Sequence, residues 1–194
     1  MTEAHRLSAL PVYHNHPRQL ADELTGFETH LLENHTAALA LLPRRRYRSG
    51  LEIGCATGAL TERLAQRCAA LLAIDRSETA LAAAHQRCAH LPQTQFQQMR
   101  VPEEYPTALF DLTIVSEVGR DWSRDDLRIA QRRIAAHLES AGHLLLIHGT
   151  GPHAQRTLNA DAVHDAFLAQ LQSPLRHLGA LHEPSFRIDL FERV

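Results

Sequence analysis

Four residues with a characteristic spacing could bind a nucleotide in the first half of the chain. Glu52, Gly54 and Gly58 lie in the stretch LEIGCATGAL, which runs from an apolar segment into a loop bounded by two glycines. Gly54 allows the backbone to turn with positive φ, and Gly58 places the first amides of the next helix where a carboxylate or phosphate can bind. Asp75 ends a second apolar segment about 20 residues later, the distance at which such folds bind a ribose diol. The pattern predicts one βαβ unit with a ligand at its turn.

The loop does not fit the dinucleotide fingerprint. That fingerprint requires G-x-G-x-x-G, and the chain has Gly54, Ala56 and Ala59 in the three glycine positions. NAD is therefore disfavoured as the ligand. The other alternative is a tight strand-to-helix turn that binds nothing, and the joint spacing of Glu52, both glycines and Asp75 argues against it.

Apolar periodicity predicts that these residues lie on alternating helices and strands. Helices are predicted, in chain order, at 18–24, Phe27–Leu42, Gly58–Cys68, after a Ser77 cap, from Ser123 to Glu139 with Gly142 just past the end, and at Asp161–Leu171. Strands are predicted before Gly54, at Leu71–Asp75, Thr94–Gln98, Leu109–Val115 and His143–His148, and in the last segments near Leu178–Leu181 and Arg187–Phe191, whose pairing the spacing alone does not show. This alternation is typical of a parallel sheet with right-handed crossovers. Residues 1–17 show no sustained period and are predicted to form an irregular arm.

The composition indicates one globular domain and excludes several kinds of chemistry. A chain of 194 residues, 44% of them hydrophobic, can bury one substantial core. All 20 basic residues are arginine, which rules out a Schiff-base lysine. The formal net charge of −2 provides no basic field for a polynucleotide, so we expect a small-molecule substrate and no nucleic-acid partner.

Cysteine and histidine spacing gives no sign of a disulfide framework or a metal site. The three cysteines lack C-x-x-C spacing, and the 14 histidines lack the H-E-x-x-H pattern, so we expect no metal. No apolar run approaches the roughly 18 residues needed to span a bilayer, and the N-terminus lacks a stretch of signal-peptide length. A cytoplasmic protein without a membrane partner is expected, and the sequence leaves its oligomeric state open.

The loop pattern E-x-G-x-x-x-G resembles motif I of the class I S-adenosylmethionine-dependent methyltransferases. The resemblance extends from Leu51 to at least Ile147. Within that superfamily, the stretch from Glu33 to Asp75 is most similar to the nodulation-protein-S-like group, which also has an alanine in place of the middle glycine. The matching stretches are Glu33-x-His35-Thr36, Leu51 to Ala59, Thr61-Glu62-x-Leu64-Ala65, Ile74-Asp75, Phe110-Asp111-Leu112, Glu117-Val118 and Ala141 to Leu144.

The resemblance implies a fold, a cofactor and a set of binding residues. The fold is the Rossmann-like class I methyltransferase fold, an α/β architecture with a mostly parallel seven-stranded sheet, a terminal antiparallel hairpin and helices on both faces. The cofactor is S-adenosylmethionine. Its predicted contacts are Glu52, Gly54, Cys55, Ala56, Thr57, Gly58, Asp75, Arg76, Met99, Arg100 and Glu117. We expect residues 1–47 to cover the cofactor site and residues 48–194 to form the methyltransferase domain, within one structural domain.

The chain departs from the group's usual pattern at four places. Asn34 replaces an arginine, Arg18 replaces an aromatic residue, and Gly119-Arg120 replaces an aromatic pair. The last change predicts a smaller and more positive wall for the methyl acceptor. Where the superfamily has an aspartate that accepts from the adenine amino group, this chain has Met99-Arg100, and arginine cannot accept a hydrogen bond. We therefore expect the Met99 amide and apolar contacts to hold the adenine, with Arg100 turned to solvent or stacked on the ring.

Glu117 and His148 are the candidate catalytic residues. The methyl of a sulfonium is already electrophilic, so the protein mainly has to hold the acceptor in line at about 3 Å and exclude water. Glu117 follows the fourth strand and is predicted to contact the acceptor or the methionine end of the cofactor, and the alternative is a cap on the next turn. His148 ends the fifth strand and could accept a proton from an ammonium or hydroxyl group, and the alternative is a structural histidine.

The group's namesake methylates an amino group on a de-N-acetylated chitooligosaccharide. We therefore expect methyl transfer to a small-molecule acceptor, with an amine or amino sugar nitrogen favoured. The alternatives are an O- or S-methyltransferase of a small metabolite, and a protein that binds S-adenosylmethionine or S-adenosylhomocysteine without turnover.

Overall fold

A computed structural model describes residues 34–151, 157–169 and 174–194, and seven of their segments form one sheet. The strands are β1 Tyr47–Ile53, β2 Cys68–Asp75, β3 Thr94–Gln98, β4 Phe110–Ser116, β5 Leu138–Gly149, β6 Leu175–Glu183 and β7 Phe186–Arg193. Their order across the sheet is β3-β2-β1-β4-β5-β7-β6. The first five strands pair in parallel, and β7 runs antiparallel to both β5 and β6. This confirms the predicted seven-stranded sheet and its terminal hairpin.

The described residues contain five α-helices, of which the first precedes β1 and four lie between strands. Residues 34–41 are helical and form α1. The others are α2 Ala59–Leu64, α3 Glu78–Arg87, α4 Arg124–His137 and α5 Ala160–Leu168. The predicted caps are confirmed: the Ser77 hydroxyl accepts from the Ala80 amide, and Ser123 forms a reciprocal capping box with Asp126.

Helices cover both faces of the sheet. On one face α1 and α2 pack on a core that includes Leu112 and Leu145, and on the other α4 and α5 pack on a core that includes Leu144 and Leu146. Successive residues of a strand point to opposite faces, so the neighbours Leu144 and Leu145 belong to two different cores. This accounts for the unbroken apolar run in β5, which is typical of a strand buried on both sides.

The predicted helix Gly58–Cys68 is too long. The α-helix ends at Leu64, a 3-10 turn covers Ala65–Arg67, and Cys68 already begins β2. Cys68 is buried in the sheet and pairs with Tyr47 of β1. Its Sγ lies 2.8 Å from the position that a Cβ would take at Gly50, so strand packing rather than helix periodicity fixes its place.

The predicted boundary between α4 and β5 is also wrong. The helix ends at His137 instead of Glu139, and β5 begins at Leu138 instead of His143. Leu138 is fully buried and pairs with Phe110, so the chain enters the sheet as soon as the helix ends. A bulge follows, in which Ala141 rather than Gly142 has a positive φ of 58°.

Other bounds shift by a few residues. The fourth strand runs one residue later than predicted, from Phe110 to Ser116, because Leu109 is exposed. The predicted helix Asp161–Leu171 begins at Ala160, where the Asn159 side chain caps it. Its predicted end, the arm, helix 18–24 and the first part of helix Phe27–Leu42 lie outside the described residues. That residues 1–47 cover the cofactor site stays a prediction.

Candidate active site

The carboxyl ends of the first four strands meet at one edge of the sheet, where the strand order reverses between β1 and β4. In open α/β sheets, ligands bind at such a switch point. A pocket of about 180 Å³ that is open to solvent lies there. Its lining includes Gly54, Ile74, Asp75, Met99, Val101 and Trp122.

The structure brings most of the predicted cofactor-binding residues to this edge. Those that line the pocket are Gly54, Asp75, Arg76, Met99 and Arg100. In the loop between β1 and α2, Ala56 and Thr57 are exposed, whereas Cys55 and Gly58 are buried. Burial raises the pKa of the Cys55 thiol, which makes it a packing residue rather than a nucleophile.

The two glycines of this loop are required by the packing of the protein itself. Gly54 has a φ of 89°, and a Cβ there would lie 2.3 Å from the Ser116 carbonyl oxygen of β4. Gly58 has a φ of 82°, and its Cβ would lie 3.1 Å from the backbone of Ala84 in α3. Both positions combine left-handed backbone with a close approach, so the loop conformation depends on glycine.

Asp75 fixes the rim of the pocket. Its two carboxylate oxygens accept backbone hydrogen bonds from Ala56 and from Ser77, each at 2.9 Å. Each carboxylate oxygen has two acceptor positions, so the group retains capacity for a diol. The contact with Ala56 also holds the glycine loop against the end of β2.

Replacing Asp75 by alanine is expected to weaken binding of S-adenosylhomocysteine by about 1–3 kcal/mol, because charge-assisted contacts to a ribose are lost. Calorimetric titration measures this directly. Asp125→Ala is the matched control, since this acid pairs with Arg128 on α4 and does not line the pocket. Equal affinities of the Asp75 and Asp125 variants would contradict the assigned role.

Glu52 lies beneath the loop and is completely buried. Both of its carboxyl oxygens lack a hydrogen-bond partner among the described residues. Burial, with a smaller contribution from the charge of Asp75, raises the pKa of Glu52 to about 7, although the nearby Thr61 hydroxyl, which does not reach hydrogen-bond geometry, opposes the shift. The carboxyl group is thus poised to ionise near neutral pH.

The pKa of Glu52 predicts a stability change with pH. Its folded-state value of about 7 lies above the ordinary value of 4.5, so the folded protein binds more protons than the unfolded chain in that window. Stability should therefore fall as the pH rises from 4.5 to about 7. Glu52→Gln removes this contribution, and the difference between the two thermal unfolding curves should grow with pH. A difference in stability between the two proteins that does not change with pH would refute this prediction.

The backbone amides at the end of β3 are not available to a nucleobase, contrary to the prediction. The Met99 amide donates to the Asp75 carbonyl at 3.0 Å, and the Arg100 amide donates to Glu104 Oε2 at 2.7 Å. The expectation that the Met99 amide holds the adenine is therefore wrong, because the β2–β3 pairing uses it. The apolar wall includes Trp122, whose indole N–H donates to the Val101 carbonyl at 2.9 Å. Sequence reasoning missed Trp122, although it is the only tryptophan of the chain.

Glu117 is held at the end of β4 in a left-handed backbone conformation, with a φ of 62°. Its Oε1 accepts from the Gly149 amide at 2.6 Å, and its Oε2 lies 3.3 Å from Arg120 Nη1. The side chain remains 33% exposed. Non-glycine residues in this conformation cluster at functional sites, where surrounding contacts enforce them.

Arg120 does not form the positive wall that the sequence predicted. Its side chain is only 3% exposed. Nη1 donates to the Gly149 carbonyl at 2.7 Å, and Nη2 donates to the Gly151 carbonyl at 3.1 Å. The guanidinium therefore joins the ends of β4 and β5 from within and provides the counter-charge of Glu117.

His148 lies below this turn and does not line the pocket. Its imidazole is completely buried, and Nδ1 is 2.9 Å from His164 Nε2 of α5. A Cβ at Gly119 would lie 2.8 Å from His148 Nε2. The glycine that departs from the group's pattern thus allows the turn to rest on this imidazole.

No group of three or more potential metal ligands converges among the residues that the structure describes. In the same part of the chain, no helix has the length and apolar character needed to cross a membrane.

Comparison with known proteins identifies the family. A model of a methyltransferase domain matches residues 51–142. A crystal structure of a candidate methyltransferase from Pseudomonas syringae is 36% identical, with a TM-score of 0.74 over 84% of this chain and 99% of that one. This chain belongs to the S-adenosylmethionine-dependent methyltransferases. The predicted fold and cofactor are confirmed at the level of this family.

Two relatives support the NodS-like group among these methyltransferases. Nodulation protein S of Sinorhizobium fredii is 32% identical over 143 residues, which are 69% of this chain and 64% of that protein, just under two thirds of its length. The N-methyltransferase NodS of Bradyrhizobium japonicum, solved with S-adenosyl-L-homocysteine, is 25% identical. Its TM-score is 0.74, over 83% of this chain and 86% of that one.

Proposed function

We propose that this methyltransferase binds S-adenosylmethionine at the edge formed by β1, β2 and β3 and methylates the nitrogen of a small amine or amino sugar. The Glu117 carboxylate, held at the end of β4 with its side chain partly exposed, carries this proposal. A related NodS is described as an N-methyltransferase, which supports the choice of nitrogen.

The chemistry of the pocket lining supports this choice of cofactor. Asp75 is placed to bind ribose hydroxyls, and Trp122, Val101 and Met99 offer apolar contact to a purine. Beneath the loop, the buried carboxyl group of Glu52, whose pKa is raised to about 7, would favour a cationic methionine end when it is ionised.

When bound, the cofactor supplies an electrophilic methyl group, so the protein needs mainly to bind and orient the acceptor. Glu117 pairs with the inward-facing Arg120, but its side chain stays 33% exposed, so a carboxylate oxygen can be presented to a protonated amine. Charge-assisted hydrogen bonds of ammonium to carboxylate are strong and directional. The exposed side of the site therefore favours a cation over an anionic acceptor.

The test is a release assay for S-adenosylhomocysteine with a panel of amino sugars, alkyl amines, their hydroxyl analogues and thiols. Turnover should be highest with free amines and should vanish when the same amino sugar is N-acetylated. Equal or higher turnover with the hydroxyl analogues would replace this proposal by O-methylation. Binding of S-adenosylhomocysteine without turnover of any acceptor would favour a non-catalytic binding role.

A further inference from the structure

The segment that follows β3 offers little to the polar edge of a purine, because contacts within the protein already use its backbone. The amides of Met99 and Arg100 both donate to carbonyl or carboxylate oxygens. The Arg100 carbonyl accepts from the Glu104 amide at 2.9 Å, and the Val101 carbonyl accepts from the Trp122 indole at 2.9 Å. The 6-amino group of an adenine therefore needs an acceptor from another part of the pocket wall.

Asp126 lies on that wall, in the first turn of α4 and four residues after Trp122. Its Oδ2 accepts from the Ser123 amide at 3.1 Å and from the Ser123 hydroxyl at 2.7 Å, and the same hydroxyl accepts from the Asp126 amide at 3.1 Å. Oδ1 accepts no hydrogen bond from any residue that the structure describes. The capping box thus fixes the carboxylate through one oxygen and leaves the other available to a ligand.

The other carboxylates of the pocket are less suited to this contact. Both oxygens of Asp75 accept backbone hydrogen bonds at the rim, where a ribose is expected. Asp121 Oδ2 lies 3.3 Å from Arg76 Nη2 and is paired with it. The Glu103 side chain is exposed and has no hydrogen bond or ion pair with the described residues, so it would have to be ordered on binding. Asp126 is both fixed and available.

We propose that Asp126 Oδ1 accepts a hydrogen bond from the 6-amino group of the cofactor's adenine and selects adenine over purines that lack this group. A carboxylate can only accept, the 6-amino group donates, and a hydrogen bond to a charged acceptor is strong. The position in the first turn of a helix also stabilises the negative charge. This inference rests on the proposed cofactor site and does not depend on which atom the enzyme methylates.

Calorimetric titration with two probe ligands tests the contact without any methyl acceptor. The probes are S-adenosylhomocysteine and its analogue with hydrogen in place of the 6-amino group. The wild type should bind S-adenosylhomocysteine about 10- to 10²-fold more tightly than the analogue, in line with one hydrogen bond to a charged group.

Asp126→Asn should abolish this preference. The new amide keeps its oxygen for the Ser123 amide and places its NH₂ group where Oδ1 was, so two donors would oppose each other. S-adenosylhomocysteine should therefore bind more weakly, the analogue should bind as to the wild type, and the two affinities should agree within a few-fold.

Two variants separate recognition of the base from the capping of α4. Asp125→Asn removes the same charge from the same helical turn, but Asp125 pairs with Arg128 and does not line the pocket, so the wild-type preference should persist. Ser123→Ala should lower the unfolding temperature because the cap loses its hydroxyl. It should keep most of the preference, since the Ser123 amide still holds Oδ2 of Asp126.

Asp121→Asn and Glu103→Gln complete the set, because both residues line the same pocket. Each should retain the wild-type preference. The inference is overturned if the wild type binds the two ligands equally, if Asp126→Asn keeps the preference, or if the preference disappears in Asp121→Asn or Glu103→Gln instead. Those results would leave the proposed cofactor site standing, whereas a wild type that binds neither ligand would overturn both.

Discussion

Gly54→Ala is expected to abolish cofactor binding and to destabilise the domain by roughly 2 kcal/mol or more. The added methyl group would lie 2.3 Å from the Ser116 carbonyl oxygen and 2.5 Å from Val118 Cγ1. The positive φ at this position adds backbone strain. Relief of the clash requires separation of the β1 loop from the end of β4, which removes the floor of the pocket. Calorimetric titration with S-adenosylhomocysteine and thermal unfolding measure the two effects.

Gly179→Ala provides the control for this substitution. Gly179 lies on β6, its φ is not positive, and a Cβ there would meet no atom within 4 Å. This variant should bind S-adenosylhomocysteine like the wild type and unfold at nearly the same temperature. Wild-type affinity in Gly54→Ala would show that the loop tolerates a side chain and that the packing argument is wrong.

Glu117→Gln should lower kcat/KM for an amine acceptor by about 10²–10³-fold, in line with the loss of one preorganised electrostatic contact. The amide keeps an oxygen for the Gly149 N–H, but its NH₂ group faces the Arg120 guanidinium, so two donors oppose each other. The negative charge that attracts an ammonium group is lost as well. Steady-state kinetics over a range of acceptor concentrations measures the effect.

Cofactor affinity separates the two roles considered for Glu117. If it contacts the acceptor, Glu117→Gln should bind S-adenosylhomocysteine within a few-fold of the wild type while kcat/KM falls. Glu139→Gln is the matched control, because Glu139 pairs with Arg48 at the opposite end of the sheet. A kcat/KM within a few-fold of the wild type in Glu117→Gln would remove the residue-level support for an amine acceptor.

The βαβ unit could be predicted from the sequence because its signals are local. Gly54, Gly58 and Asp75 act through backbone conformation and position at strand ends, and both are visible in the spacing of the residues. The caps at Ser77 and Ser123 are equally local. The terminal hairpin was predicted from the resemblance to known methyltransferases, because periodicity does not reveal which strands pair in the sheet.

Features that depend on pairing or burial could not be predicted in this way. The sequence around Leu138 continues the helical pattern, and only its pairing with Phe110 moves it into the sheet. The sequence predicted that Arg120 forms a positive wall of the acceptor site. In the structure its guanidinium is buried and donates to the carbonyls of Gly149 and Gly151.

The hydrogen bonds of His164 to His148 and to Asp189 have no signal in the sequence, because the three residues are distant along the chain. The sheet order brings β5 next to β7, and α5 packs against both strands. Likewise, the use of the Met99 amide by the Asp75 carbonyl depends on strand register, which residue types do not reveal.

The most direct measurement is a carbon NMR spectrum of the reaction mixture after turnover with S-adenosylmethionine carrying a ¹³C-labelled methyl group and an amino sugar acceptor. Carbon bonded to nitrogen, oxygen or sulfur resonates at distinct positions, and only an N-methyl resonance shifts as the amine titrates. We expect one new N-methyl resonance that moves with pH and that is missing when the amino group is acetylated. A new methyl resonance that is insensitive to pH and persists with the acetylated sugar would contradict N-methylation.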